Sequence, residues 1–294
     1  MTVPTLRLAL PERPHTLALA SIATDGYALD VEFGSFEEVR HGFINEGRWD
    51  ATEFPLGRYI ALKAAGDASL IAIPVYPWRS FRHAAIHVRN DGSITSPADL
   101  EGRRVGVSDW HQTAGIVARG LLAREYGVRL ERIEWVVAGV DGPPRVDTFP
   151  VPAPRGVALA RSPVSLAELL RQGEIDAIIA ADAPRDGGTR PLIANLEQEE
   201  EAWFARTGIF PLMHVIAIRR SALGKIPSLD ELQRVFELAK ASSRPALDAK
   251  WRYGLKENEA ALGRLLDDAF AQGIGERRLT PQDLFASDAH VDIA

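Results

Sequence analysis

The 294-residue chain contains no cysteine. That excludes disulfides, thiolate nucleophiles and Cys-ligated zinc. It also lacks a strong basic excess: the formal net charge is −6, which argues against nucleic acid as a partner. No apolar run is long enough to span a bilayer; "LRLAL" at 6–10 is too short and reads as a strand, so no membrane association is expected. The opening "MTVPTLRLALPERPHTLALA" has no basic start followed by a long apolar core and a small-residue cleavage site. The expectation from that stretch is a cytoplasmic protein. Walker A, G-x-G-x-x-G and G-x-S-x-G patterns are missing, so nucleotide and acyl-transfer chemistry gain no support. There is no H-x-x-x-H or H-x-H spacing either. No cofactor is expected, although Glu53, His83, His111 and His214 leave a divalent metal open.

What is present is an ordinary globular balance, 46% apolar and 25% charged, with strand and helix patterns in alternation. Apolar strands are expected at 6–10, 30–36, 70–77, 84–90, 103–109, 133–139, 175–181 and 213–220. A strand, turn and helix are expected over 48–66. Helices are expected at 96–102, 113–127, 165–173 and through the chain from 228 onward. The proline-rich stretch 141–163 reads as a surface excursion, because the alternation resumes directly after it. The acidic run at 197–206 reads as a solvated helix face.

One segment resists a core reading. "YPWRSFRHAAIHVR" (76–89) sets Arg79, Arg82 and His83 among aromatics at the mouth of a strand. Charged side chains are rarely buried without a partner, so these three lie on a solvated edge or face something anionic. An arginine there can clamp a carboxylate with two parallel hydrogen bonds. Arg79 and Arg82 are three apart, so in an extended segment they face opposite ways and one of them is structural.

"SPADLEGRRVGV" followed by a helix and then "GEIDAIIA" resembles the second lobe of type 2 periplasmic-binding-protein folds, and "WDATEF", "IPVYPWRSFRHAAIHVR", "TAGIVARGLLAREYGV", "GEIDAIIA", "RTGIFPLMHVIAIRR" and "RRLTPQDLFA", taken in order, resemble the 4,5-dihydroxyphthalate decarboxylase family built on that fold. The resemblance implies an α/β protein with two lobes joined by two crossing strands and a ligand cleft between them. Lobe one would comprise 1–83 and 212–294, the latter carrying the C-terminal helices, and lobe two 84–211. Ligands in open α/β sheets bind beyond the carboxyl ends of strands. Here those ends are 11–15, 53–56, 77–83, 108–113 and 182–185, which would turn Arg79, Arg82 and His83 toward a cleft.

The implied activity is that of a carboxy-lyase in aromatic catabolism, specifically phthalate degradation. It would take a small aromatic carboxylate, 4,5-dihydroxyphthalate, to 3,4-dihydroxybenzoate without a cofactor. The other reading is a non-catalytic solute-binding protein of an ABC transporter for an organic anion. A chorismate-dehydratase-like enzyme of the same superfamily comes third. For the decarboxylase, His214 or His83 would be the general acid and Glu53 the acceptor of a phenol proton, or else partner to a histidine. Arg79 or Arg82 with Thr113 would anchor carboxylates. His111 and Thr113, ahead of the helix at 113, could present an anion to free backbone N–H groups. A lone histidine beside an apolar strand is more often a hydrogen-bonded core residue, and Thr113 can serve as a plain helix cap. A homo-oligomer is left open.

Overall fold

A computed structural model describes residues 3–144, 150–244 and 249–285. Residues 145–149 of the proline-rich stretch, residues 245–248 and the end of the chain from 286 lie outside the described residues.

The first sheet has five strands in the order β2-β1-β3-β11-β4. β1 (Thr5–Pro11), β2 (Ala28–Gly34) and β3 (Ala51–Pro55) run parallel to one another. β4 (Leu70–Ile73) and β3 both pair antiparallel with β11 (His214–Arg219), which returns from far along the chain. β3 is central, and all but the last of its residues are buried, as expected of a strand covered on both faces. Glu53 therefore sits in the middle of the sheet.

The second sheet has six strands in the order β10-β5-β9-β6-β7-β8. It is built from β5 (Ile86–Arg89), β6 (Arg104–Val107), β7 (Glu134–Val137), β8 (Leu159–Arg161), β9 (Ala177–Ile179) and β10 (Thr189–Pro191). β9, β6, β7 and β8 are parallel; β5 pairs antiparallel with β9, and β10 antiparallel with β5. Two mixed sheets with helices around them make the two-lobed periplasmic-binding-protein-like fold, consistent with a cleft between the lobes.

The helices are α1 (Phe36–His41), α2 (Leu56–Ala64), α3 (Thr113–Glu125), α4 (Leu166–Arg171), α5 (Leu196–Thr207), α6 (Leu229–Ala241) and α7 (Glu259–Ala271). Ser35, Ser165 and Ser228 cap α1, α4 and α6 by accepting the N–H of the third helical residue. The chain crosses from the first sheet to the second between β4 and β5 and returns between β10 and β11, and Arg79 and Leu212 lie on these two crossing segments. These form an isolated antiparallel bridge, reinforced by Ser80 N–H to Pro211 O and Met213 N–H to Trp78 O.

Three local expectations need correction. The 96–102 segment is a 3-10 turn, Pro97–Leu100, because Gly102 breaks the chain at φ 77° before an α-helical turn can extend. The proline-rich excursion ends as β8, an added edge strand bonded to β7. β10 was not expected at all; three residues with a proline carry too little alternation to read as a strand.

Candidate functional site at the crossing segments

The carboxyl end of β3 and the start of β11 lie side by side, with His214 opposite Pro55 in register. His214 Nδ1 is 2.5 Å from Glu53 Oε1. Glu53 has no exposed surface. The same carboxylate accepts two bonds from Arg13, Nη2 to Oε1 at 2.7 Å and Nε to Oε2 at 3.2 Å. Burial by itself would raise the Glu53 pKa. The hydrogen bond and charge of His214, followed by those of Arg13, outweigh it and hold the carboxyl below its ordinary value.

Neighbouring rings fix this group. Phe36, the first residue of α1 beyond the end of β2, stacks on the His214 imidazole at 4.5 Å with 9° between planes. The Arg13 guanidinium lies 4.1 Å from the ring centre of Trp78, whose carbonyl accepts the backbone N–H of His214. With Nδ1 committed to Glu53, Nε2 is the ring nitrogen left to meet a ligand; no protein partner for it is found among the described residues.

Arg82 lies near the carboxyl end of β9. Its Nε points at Met213 Sδ (3.0 Å), next to His214 in sequence, and its Nη1 donates to Ala181 O at 3.3 Å. Nη2 has no bonded protein partner among the described residues. Burial lowers the Arg82 pKa, and Asp182 and Glu200 act against that.

The remaining expected residues are placed otherwise. Arg79 is 4% exposed and both terminal nitrogens of its guanidinium are spent on the protein: Nη1 donates to Phe210 O at 3.0 Å, and Nη2 to Arg252 O and Asn258 Oδ1. It secures the crossing. His83 is buried beside Trp203 and Phe81, with Nδ1 3.9 Å from Glu200, and burial lowers its pKa. Thr113 Oγ1 accepts the Gly57 N–H at 2.9 Å, joining the starts of α2 and α3. His111 is 6% exposed, and its Nδ1 lies 3.5 Å from Asp109, which also meets Arg58 of α2 at 3.4 Å. A Cβ on Gly57 would lie 2.5 Å from His111 O, so the starts of α2 and α3 touch directly. Of the expected set, Glu53 and His214 are in direct contact and Arg82 is close by. His83 is packed in a separate aromatic cluster. Glu53 is partner to a histidine, with no surface to offer a phenol. Among the described residues no group of three or more His, Asp or Glu is arranged to hold a metal ion.

Sequence reasoning missed Arg13 and Phe36. Arg13 falls within the 11–15 strand end already assigned to the cleft, which was the available signal. Phe36 gave none, since an aromatic after a strand is usually core.

The family model for the periplasmic substrate-binding protein of phosphonate ABC transporters matches residues 21–144. A 4,5-dihydroxyphthalate decarboxylase from Comamonas testosteroni is 33% identical over 282 residues, covering 85% of this chain and 86% of that protein. The chain belongs to the 4,5-dihydroxyphthalate decarboxylase family. A second decarboxylase of that name, from Pseudomonas putida, is 35% identical over 150 residues, 50% of this chain and 58% of its own. Among solved structures, the desulfurization enzyme DSZB is 15% identical with a TM-score of 0.52, covering 96% of both chains. The periplasmic aliphatic sulphonate binding protein SsuA from Escherichia coli is 16% identical with a TM-score of 0.50, covering 91% of this chain and 79% of its own.

The fold thus carries both an enzyme and a binding protein, and membership in the decarboxylase family supports catalytic potential here. The cytoplasmic expectation does not stand. It rested on an unremarkable N-terminus, whereas the matching family model and the SsuA fold are those of periplasmic binding proteins. No helix among the described residues is long and apolar enough to cross a membrane.

Proposed function

We propose that this member of the decarboxylase family removes one carboxyl group from a hydroxylated aromatic dicarboxylate, 4,5-dihydroxyphthalate giving 3,4-dihydroxybenzoate. The observation that carries the reading is the Arg13–Glu53–His214 relay, which ends in a ring nitrogen without a protein partner among the described residues. The reading takes the lobes as 1–83 with 212–294, and 84–211, and the ligand between them.

Direct loss of CO2 would leave an unstabilised aryl anion, so the ring carbon is protonated first. In its protonated form His214 delivers the Nε2 proton to the carbon bearing the departing carboxylate, and Glu53 holds the imidazole by Nδ1. A hydroxyl para to that carbon feeds electron density into the ring, which becomes dienone-like. The carbon–carboxylate bond then breaks, its electron pair restores aromaticity, and CO2 leaves. His214 regains a proton from solvent. The Arg82 Nη2 group anchors the retained carboxylate. A positioned acid of this kind contributes about 10²–10⁴-fold.

His214→Gln is expected to lower kcat by that factor with ligand affinity nearly unchanged, because proton delivery matters only on the way to the transition state. Purified protein is incubated with 4,5-dihydroxyphthalate, with and without chelator, and product and CO2 are followed. The match of residues 21–144 to a substrate-binding family favours a second reading, a non-catalytic receptor for an organic anion. Tight one-to-one binding without turnover would establish that reading and sink the first.

A further inference from the structure

Glu53 is completely buried, and it would be poorly suited to remain a carboxylate if His214 were its sole partner. His214 is cationic for only part of any proton-transfer cycle. Once the imidazole gives up a proton, a buried carboxylate beside a neutral ring is costly, and burial favours its taking a proton instead. A protonated Glu53 would donate its own O–H to Nδ1. The imidazole proton would then sit on Nε2, and the nitrogen facing the cleft could no longer accept one.

We propose that Arg13 is a positioning residue that keeps Glu53 an acceptor for the Nδ1–H of His214 through both protonation states of the imidazole. This rests on the reading of His214 as a proton-transfer group. Three observations carry it. Arg13 engages both carboxylate oxygens, at 2.7 and 3.2 Å. It is the only lysine or arginine bonded to Glu53 among the described residues. Its own position is set by the Trp78 ring at 4.1 Å, on the crossing segment that also holds the His214 backbone. The nearby His15 makes no hydrogen bond to Glu53; its Nε2 is turned to Pro77 O at 3.0 Å, and burial lowers its pKa. Arg13 touches neither ring atom of His214 through any hydrogen bond and acts only through Glu53.

The test uses the unliganded full-length protein, so it does not depend on turnover. Imidazole ¹⁵N spectra at a pH where the ring is neutral report which nitrogen carries the proton. Infrared difference spectra against Glu53→Gln report whether Glu53 is ionised. The parent should show the proton on Nδ1 of His214 and no protonated-carboxyl band from Glu53. Arg13→Gln should move the proton toward Nε2 and bring up that band. Arg13→Lys, which keeps the charge but not the two parallel bonds, should restore the parent pattern. With substrate, Arg13→Gln should lower kcat about 10-fold or more with KM nearly unchanged. A parent-like proton position and an absent carboxyl band in Arg13→Gln would overturn the proposal. So would a shifted proton in Arg13→Lys, which serves if the Gln variant does not fold. If the spectra behave as expected but no hydroxylated phthalate is turned over, Arg13 keeps its role and the decarboxylase reading fails alone.

Discussion

Replacing Arg79 by alanine should damage the protein in a way that separates scaffold from anchor. The side chain is 4% exposed and makes three hydrogen bonds, to two backbone carbonyls and the Asn258 amide oxygen. These tie the crossing segment to the 252–258 stretch and to Phe210. Burial lowers the Arg79 pKa to about 10, so the group stays charged at neutral pH, and no carboxylate among the described residues pairs with it. Each bond from a charged donor contributes about 1.5 kcal/mol, giving about 4–5 kcal/mol if they simply added. Removing an unpaired buried cation offsets part of that, which leaves a net loss of about 2–4 kcal/mol. Equilibrium urea denaturation of Arg79→Ala against the parent measures it. Substrate affinity, corrected for folded protein, should change by less than about threefold. If Arg79→Ala keeps parent stability and loses affinity instead, Arg79 reaches the ligand and the argument from its partners is wrong.

Arg82→Ala should shift the balance the other way, costing only about 1–2 kcal/mol for its one carbonyl bond while KM or Kd rises about 10-fold or more, since its Nη2 holds no protein group among the described residues. Isothermal titration with 4,5-dihydroxyphthalate checks it; unchanged affinity removes Arg82 as the anchor. Acid should destabilise the fold before carboxylates titrate. His15, His83 and His87 have pKa values lowered chiefly by burial, so the folded state binds fewer protons than the unfolded chain. Their stabilisation is complete above the ordinary histidine value of 6.5 and is lost as pH falls below it. The limiting slope is about 1.4 kcal/mol per pH unit for each histidine. Denaturation midpoints that stay flat between pH 7.5 and 5 would contradict this. Gly57→Ala should cost about 1–3 kcal/mol, because the added methyl meets His111 O at 2.5 Å and Ile116 Cδ1 at 2.6 Å. A thermal melt equal to the parent's would mean that α2 and α3 separate freely.

The sequence by itself determined the alternation of strands and helices, the two-lobed class and the family likeness. The alternation follows from local periodicity; the two lobes came only as what the likeness of ordered segments implies. It also singled out Glu53 and His214, since both lie where a strand pattern starts or ends. Tertiary structure decided the rest. Glu53 and His214 are 161 residues apart, and only the antiparallel pairing of β3 with β11 makes them a bonded pair. Arg79 and Arg82 look alike in sequence. The partners that distinguish them arrive from 181, 210, 213, 252 and 258, at separations no local pattern encodes. His83 and His214 look alike for the same reason, yet one packs among Trp203 and Phe81 and the other on a carboxylate. Periodicity tells which face of an element is apolar; what a charged group meets on that face is settled by which distant segments the fold brings against it.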